Sequence, residues 1–164
     1  MLDLEKRFKE IYHTNYSNVY RLCLGYMKGD ELMASELSQE VFIKIWENLS
    51  SFRQESAVST WIYRITVNTC LIYLRKKKDI LLSKVVDLLE AAPVEDTIQE
   101  TKEKNLKDLY ACINQLNKEN KSIILLELQG IPQKEIAEIM GINHEAIRVR
   151  IHRIKNELTK CVQK

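Results

Sequence analysis

Glycine and proline are scarce in this chain, four and two among 164 residues. Tight turns and strand connections draw on both, so their scarcity argues against a sheet-rich fold and leaves long helices as the default. Also missing is any apolar run approaching the ~20 residues of a membrane span, and any basic N-terminal start leading into an apolar stretch. Secretion and membrane insertion are therefore not expected, and a cytoplasmic location is. Cys23, Cys70, Cys112 and Cys161 form no C-x-x-C pair and have no histidine at metal spacing. Four reduced thiols and no metal are expected. There is no Gly-rich phosphate loop, no paired-carboxylate constellation, and no Ser or Cys with a recognisable base. An enzyme is the least favoured class, and no cofactor or small-molecule substrate is expected.

What is present is 45% apolar content, enough for packed cores, and an uneven charge distribution beneath a formal net charge of only +2. Residues 61–78 carry Arg64, Arg75, Lys76, Lys77 and Lys78 without an acid, a net of +5. Residues 79–103 hold seven acids against Lys84 and Lys102, a net of −5, and residues 143–164 return to +4. The pattern, with Pro93 inside the acidic stretch, suggests two helical units, 1–78 and 106–164, joined by an acidic linker over 79–105.

Helical periodicity runs from Leu4 to Tyr26 and stops at "KGDE", where Asp30 suits an N-cap for a helix reaching about Leu49. On that second helix Leu37, Val41, Ile45 and Asn48 share one face, while Glu36, Gln39, Ile43 and Glu47 point away. Phe42 and Trp46 fall at the boundary, where packing on a neighbour and service in an interface fit equally well. An exposed Ile beside a Trp, rimmed by carboxylates and an amide, suits a protein contact.

The loop "SSFRQESAVS" leads into "TWIYRITVNTCLIYLRKKK", expected to be helical from near Thr60. At 100° per residue Trp61, Arg64, Asn68 and Arg75 fall on one narrow stripe, and Ile62, Tyr63, Ile65, Val67, Thr69, Ile72 and Leu74 fill most of the remaining circumference. Cations hold backbone phosphates, while an aromatic and an amide can stack on and bond to unpaired bases. A solvated helix end favoured by the macrodipole accounts for the lysine run but not for Arg64 and Asn68.

Further on, Leu106, Leu109, Tyr110 and Ile113 make one helical face, Asn117 can cap the next helix, and Gly130 suits its end. "IPQKEIAEIMGINHEAIRVRIHRIKNEL" has the form of a helix-turn-helix, with Gly141 in the turn and a longer second helix from His144. Ile147, Ile151, Ile154 and Leu158 form its buried face. Glu145, Arg148, Val149, His152, Arg153 and Asn156 then point outward, with Arg150 and Lys155 at the flanks. Such a surface suits a major groove: Arg can pair bidentately with guanine and Val can meet a thymine methyl.

Taken together, "ELSQEVFIKIWENLSSFRQESAVSTWIYRITVNTCLIYLRKKK" resembles region 2, and "LNKENKSIILLELQGIPQKEIAEIMGINHEAIRVRIHRIKNEL" resembles region 4, of an extracytoplasmic-function type bacterial sigma factor. The resemblance implies an all-α protein of two small domains with a linker. It would bind core RNA polymerase, recognise promoter DNA at −10 and −35 elements and initiate transcription. By position, Glu36, Gln39, Glu40, Ile43 and Trp46 correspond to the polymerase-docking surface. Phe52, Arg53, Gln54, Glu55 and Ser56, with Trp61, Arg64, Asn68, Arg75 and Lys76, correspond to the −10 reader. His144, Arg148, Val149, His152 and Arg153 correspond to the −35 reader, with Arg150 and Lys155 on the DNA backbone. An anti-sigma protein, often membrane anchored, is the further partner implied.

Two other classes are set against this. A helix-turn-helix regulator acting without polymerase would bind a palindrome as a stable homodimer. A helical adaptor would show no salt-dependent DNA binding and would leave the second helix of the pair unexplained. The charge pattern also suggests an acidic linker folding back on two basic units and weakening DNA binding until polymerase separates them.

Overall fold

A computed structural model describes residues 1–84 and 101–164. The described residues form seven helices: α1 Leu2–Tyr26, α2 Glu31–Leu49, α3 Val58–Lys84, α4 Thr101–Asn114, α5 Lys118–Leu128, α6 Gln133–Met140 and α7 His144–Val162. No strand occurs among them, as the scarcity of turn formers implies. The proposed folding back of the acidic linker concerns residues that largely lie outside those described.

Local chemistry sets the helix ends. The Asp30 carboxylate accepts a hydrogen bond from the Met33 amide at 3.2 Å, and the Asn117 side chain accepts one from the Asn120 amide at 2.8 Å, so each satisfies an otherwise unpaired N-terminal amide. Asn143 does the same for α7, accepting from Glu145 N–H at 2.8 Å. Between α6 and α7, Gly141 takes φ 68°, a left-handed conformation that costs other residues more.

The first three helices pack on one another, and so do the last four. Val19, Leu22, Leu37, Val41, Ile45, Leu49, Ile62 and Val67 fill the first core. Ile113, Ile123, Ile124, Leu126 and Ile136 fill the second, with the expected face of α7, Ile147, Ile151, Ile154 and Leu158, closed over them. The two cores are continuous, because α1 packs on α5 and α3 packs on α6. Where α1 meets α5 there is no room for a side chain: a Cβ on Gly25 would stand 2.6 Å from Leu125 Cδ2. One helical turn of approach, dictated by a glycine, thus brings the halves together.

Several expectations need correcting. Asn48 is exposed and bonds back to the Lys44 carbonyl at 2.8 Å; Leu49, one residue on, takes the buried place because it has no polar group to satisfy. Phe42 is not at a boundary but buried. Leu106 is 50% exposed, off the face that Ile113 buries, and Ile72 reaches the surface of α3. Cys112 and Cys161 are joined as a disulfide that ties α4 to the end of α7, so these two are not the free thiols expected. Sequence separation hid this pair, since two cysteines 49 positions apart are brought together only by tertiary packing. Cys23 and Cys70 are free and buried, with sulfurs 3.7 Å apart; the contact with Cys23, and then burial, push the Cys70 thiol up.

Candidate nucleic-acid interface

The loop after α2 and the first turns of α3 enclose a cleft of about 810 Å³. Phe52 and Trp61 form one wall, their rings stacked at 4.5 Å with 23° between planes, and the Arg7 guanidinium lies 5.8 Å from the Phe52 ring centroid. Arg53, Glu55, Ser56 and Arg64 supply polar groups around this wall. Gln54 in this loop adopts φ 57°, a left-handed conformation. An aromatic shelf beside cations offers a stacking face for a base and charge for its phosphates.

The cleft is not assembled from the N-terminal half alone. Glu138 of α6 lines it, and its backbone carbonyl accepts hydrogen bonds from Arg64 Nη2 at 2.5 Å and Nε at 3.2 Å. Just before Arg64, the Ser59 and Thr60 hydroxyls both donate to Glu135 Oε1, at 2.8 and 3.4 Å. Burial, and next the Glu135 charge, push the neighbouring Tyr63 hydroxyl up. Asn68 and Arg75 stay exposed further along the same stripe; Asn68 does not line the cleft, and Arg75 and Lys76 lie well beyond it. Sequence periodicity located the stripe but missed that Arg64 is occupied, because Glu135 and Glu138 are seventy-odd residues away and their own spacing marks only a solvated helix face.

On α7, His144, Glu145, Arg148, Val149, His152, Arg153 and Asn156 are all exposed, on the side opposite the buried isoleucines. Arg148 pairs with Glu145 at 3.1 Å, and His152 lies 3.4 Å from the Asn156 amide. The flanking cations differ from these: Arg150 pairs with Glu119 at 2.6 Å and Lys155 with Glu127 at 3.1 Å, both acids belonging to α5. They hold the second helix of the pair against the domain. Between α6 and α7 the turn leaves the first residues of α7 exposed, with the Asn143 side chain capping the Glu145 amide.

Away from both, Ile43 is 57% and Trp46 40% exposed on α2, flanked by exposed Glu36, Gln39 and Glu40. The two readings of Trp46 both hold in part: its ring packs edge-on against Phe8 at 5.3 Å and 76°, yet much of it remains accessible. Among the described residues no group of His, Cys, Asp and Glu is placed to hold a metal, and no helix is long and apolar enough to cross a membrane.

These features define a helical protein of two packed halves, one with an aromatic cleft and the other with an exposed cationic row on its last helix. Residues 11–80 match the family model of sigma-70 region 2, and residues 106–158 match that of sigma-70 region 4. The chain is 34% identical over 139 residues to the ECF RNA polymerase sigma-E factor of Escherichia coli, covering 78% of this chain and 73% of the relative. It is 30% identical over 142 residues to the RNA polymerase sigma factor SigZ of Bacillus subtilis, covering 85% and 78%. Against SigE of Mycolicibacterium smegmatis it is 26% identical over 159 residues and spans 61% of that relative's length. The chain belongs to the ECF RNA polymerase sigma factors. Its fold is similar to the sigma factor RpoE of Bartonella quintana, solved with the anti-sigma factor NepR (TM-score 0.74, 20% identity, 96% of this chain and 98% of that one). It is also similar to CnrH in complex with the cytosolic domain of CnrY (TM-score 0.72, 16% identity, 97% and 89%).

Proposed function

We propose that this chain binds core RNA polymerase and directs it to promoters, reading a −35 element as duplex with α7 and a −10 element as opened strand at the Phe52–Trp61 cleft. The observation that carries the reading is the presence, in one chain, of two chemically different surfaces, a stacked aromatic cleft and an exposed cationic helix row. Opened strands offer unpaired bases, and a stacking wall with Arg64 and Asn68 nearby takes them. Duplex offers base edges in its major groove, which the exposed row Arg148, Val149, His152 and Arg153 fits. Ile43 and Trp46, with Glu36, Gln39 and Glu40, form the polymerase-docking surface: apolar at the centre and polar at the rim.

In the arrangement described, Glu138 covers part of the −10 cleft and holds Arg64. These direct contacts restrain the halves whatever the acidic linker, which largely lies outside the described residues, adds. Binding to polymerase separates the halves and frees Arg64. An anti-sigma protein would hold them together; the structurally similar RpoE of Bartonella quintana was solved in complex with one, NepR. Run-off transcription with purified core polymerase on a promoter library tests the reading. Initiation that depends on this chain, with both elements enriched, is the expected result; tight binding to duplex palindromes without polymerase would overturn it.

A further inference from the structure

Further along α3, the two halves meet again around a groove of about 300 Å³. Its charged lining is Lys28 just after α1, Arg75 and Lys78 on α3, and Lys118 and Lys121 on α5; no acid among the described residues lines it. None of the five forms an ion pair among the described residues. Lys121 is the unusual member, being only 8% exposed. Its ammonium donates to the Asn114 side-chain oxygen and lies 5.8 Å from the Tyr26 ring centroid, but no carboxylate among the described residues pairs with it. Burial, and then the Lys28 charge, push the Lys121 pKa down. A buried cation beside four others is costly unless an anion joins it.

The shape limits what that anion can be. Leu71, Leu74 and Leu116 make an apolar floor, and the volume lies at the lower end of small-molecule sites. A DNA duplex is far too wide to enter. The first turn of α5, starting at Lys118, adds the positive end of a helix dipole beside these cations. We propose that this groove binds a small oligophosphate across the two halves of the chain, with the phosphates on Lys28, Arg75, Lys118 and Lys121. A free inorganic oligophosphate and a nucleoside triphosphate share the chemistry; the apolar floor favours the latter, which can lay its base there.

Because the ligand grips both halves, its binding stabilises the closed arrangement by mass action. That regulatory consequence rests on the proposed function, whereas binding itself does not. The test is calorimetric titration of the full chain with sodium triphosphate and, separately, with ATP, alongside a variant carrying Lys28→Asn and Lys118→Gln. Both replaced side chains are exposed, and Asn tolerates the φ of 57° at position 28. Saturable one-to-one binding of either probe, weakened about tenfold in the variant, is expected. Tighter binding of ATP than of triphosphate would support a base on the leucine floor. The variant should keep polymerase-dependent promoter binding and an unchanged melting temperature in buffer free of triphosphate and nucleotide, which separates loss of this site from loss of function. No saturable binding of either probe below about 1 mM, or equal binding to the variant, overturns the proposal.

Discussion

Arg64, on the exposed polar stripe of α3, donates two hydrogen bonds to the backbone carbonyl of Glu138 on α6, at 2.5 and 3.2 Å. A side chain suited to an opened strand is therefore satisfied by the first helix of the helix-turn-helix. The carbonyl is uncharged and the guanidinium exposed, so DNA phosphate is a strong competitor once the helices part.

Loosening this closure should raise polymerase-free DNA binding. Glu135→Ala removes the acceptor for Ser59 and Thr60 without touching the stripe. A loss of about 1 kcal/mol of closure corresponds to several-fold tighter binding to a forked −10 probe. Fluorescence anisotropy at fixed salt measures it, and an unchanged affinity would show that the contact does not restrain the halves.

Gly25 offers a steric route to the same end. Gly25→Val places methyl groups where Leu125 now lies, 2.6 Å from the ideal Cβ position, and wedges α1 from α5. Solution scattering should give a larger radius of gyration with helical content retained by circular dichroism. A compact variant would mean that Leu125 repacks instead.

The four arginines should separate by step. Arg64→Ala with Asn68→Ala should impair promoter opening more than closed-complex formation, read by permanganate reactivity against filter binding. Arg148→Ala and Arg153→Ala should each weaken recognition of the −35 element, by about 1–3 kcal/mol if the side chain meets a base. Arg150→Ala, which loses the 2.6 Å pair with Glu119, should instead act evenly across promoter sequences. Equal effects of all on both steps would undo the assignment.

The Cys112–Cys161 bridge should stabilise the second half selectively. Cys112→Ser, or reduction, is expected to cost about 2–4 kcal/mol of unfolding free energy. Thermal melting with and without reductant checks it. A melting curve indifferent to reductant would mean that the bridge does not form in solution.

The buried face of α7 was legible because four apolar residues at helical spacing admit one orientation, and the outward row followed as its complement. The stripe of α3 was legible for the same reason. Asn48 and Leu106 were misplaced because a helical wheel marks a sector without saying how far the neighbouring helix extends over it. The pairing of Cys112 with Cys161 left no local signal at all.

By itself the sequence determined that the chain is helical, where its helices begin at Asp30 and Asn117, and which faces carry cations and aromatics, since capping and periodicity act within a few residues. Only the tertiary structure decided that the two halves close on one another, that Glu138 occupies Arg64, and that Lys28, Arg75 and Lys121 surround one groove. Those are contacts between residues tens of positions apart, set by how closely helices such as α1 and α5 can approach. No periodicity along a single helix encodes that distance.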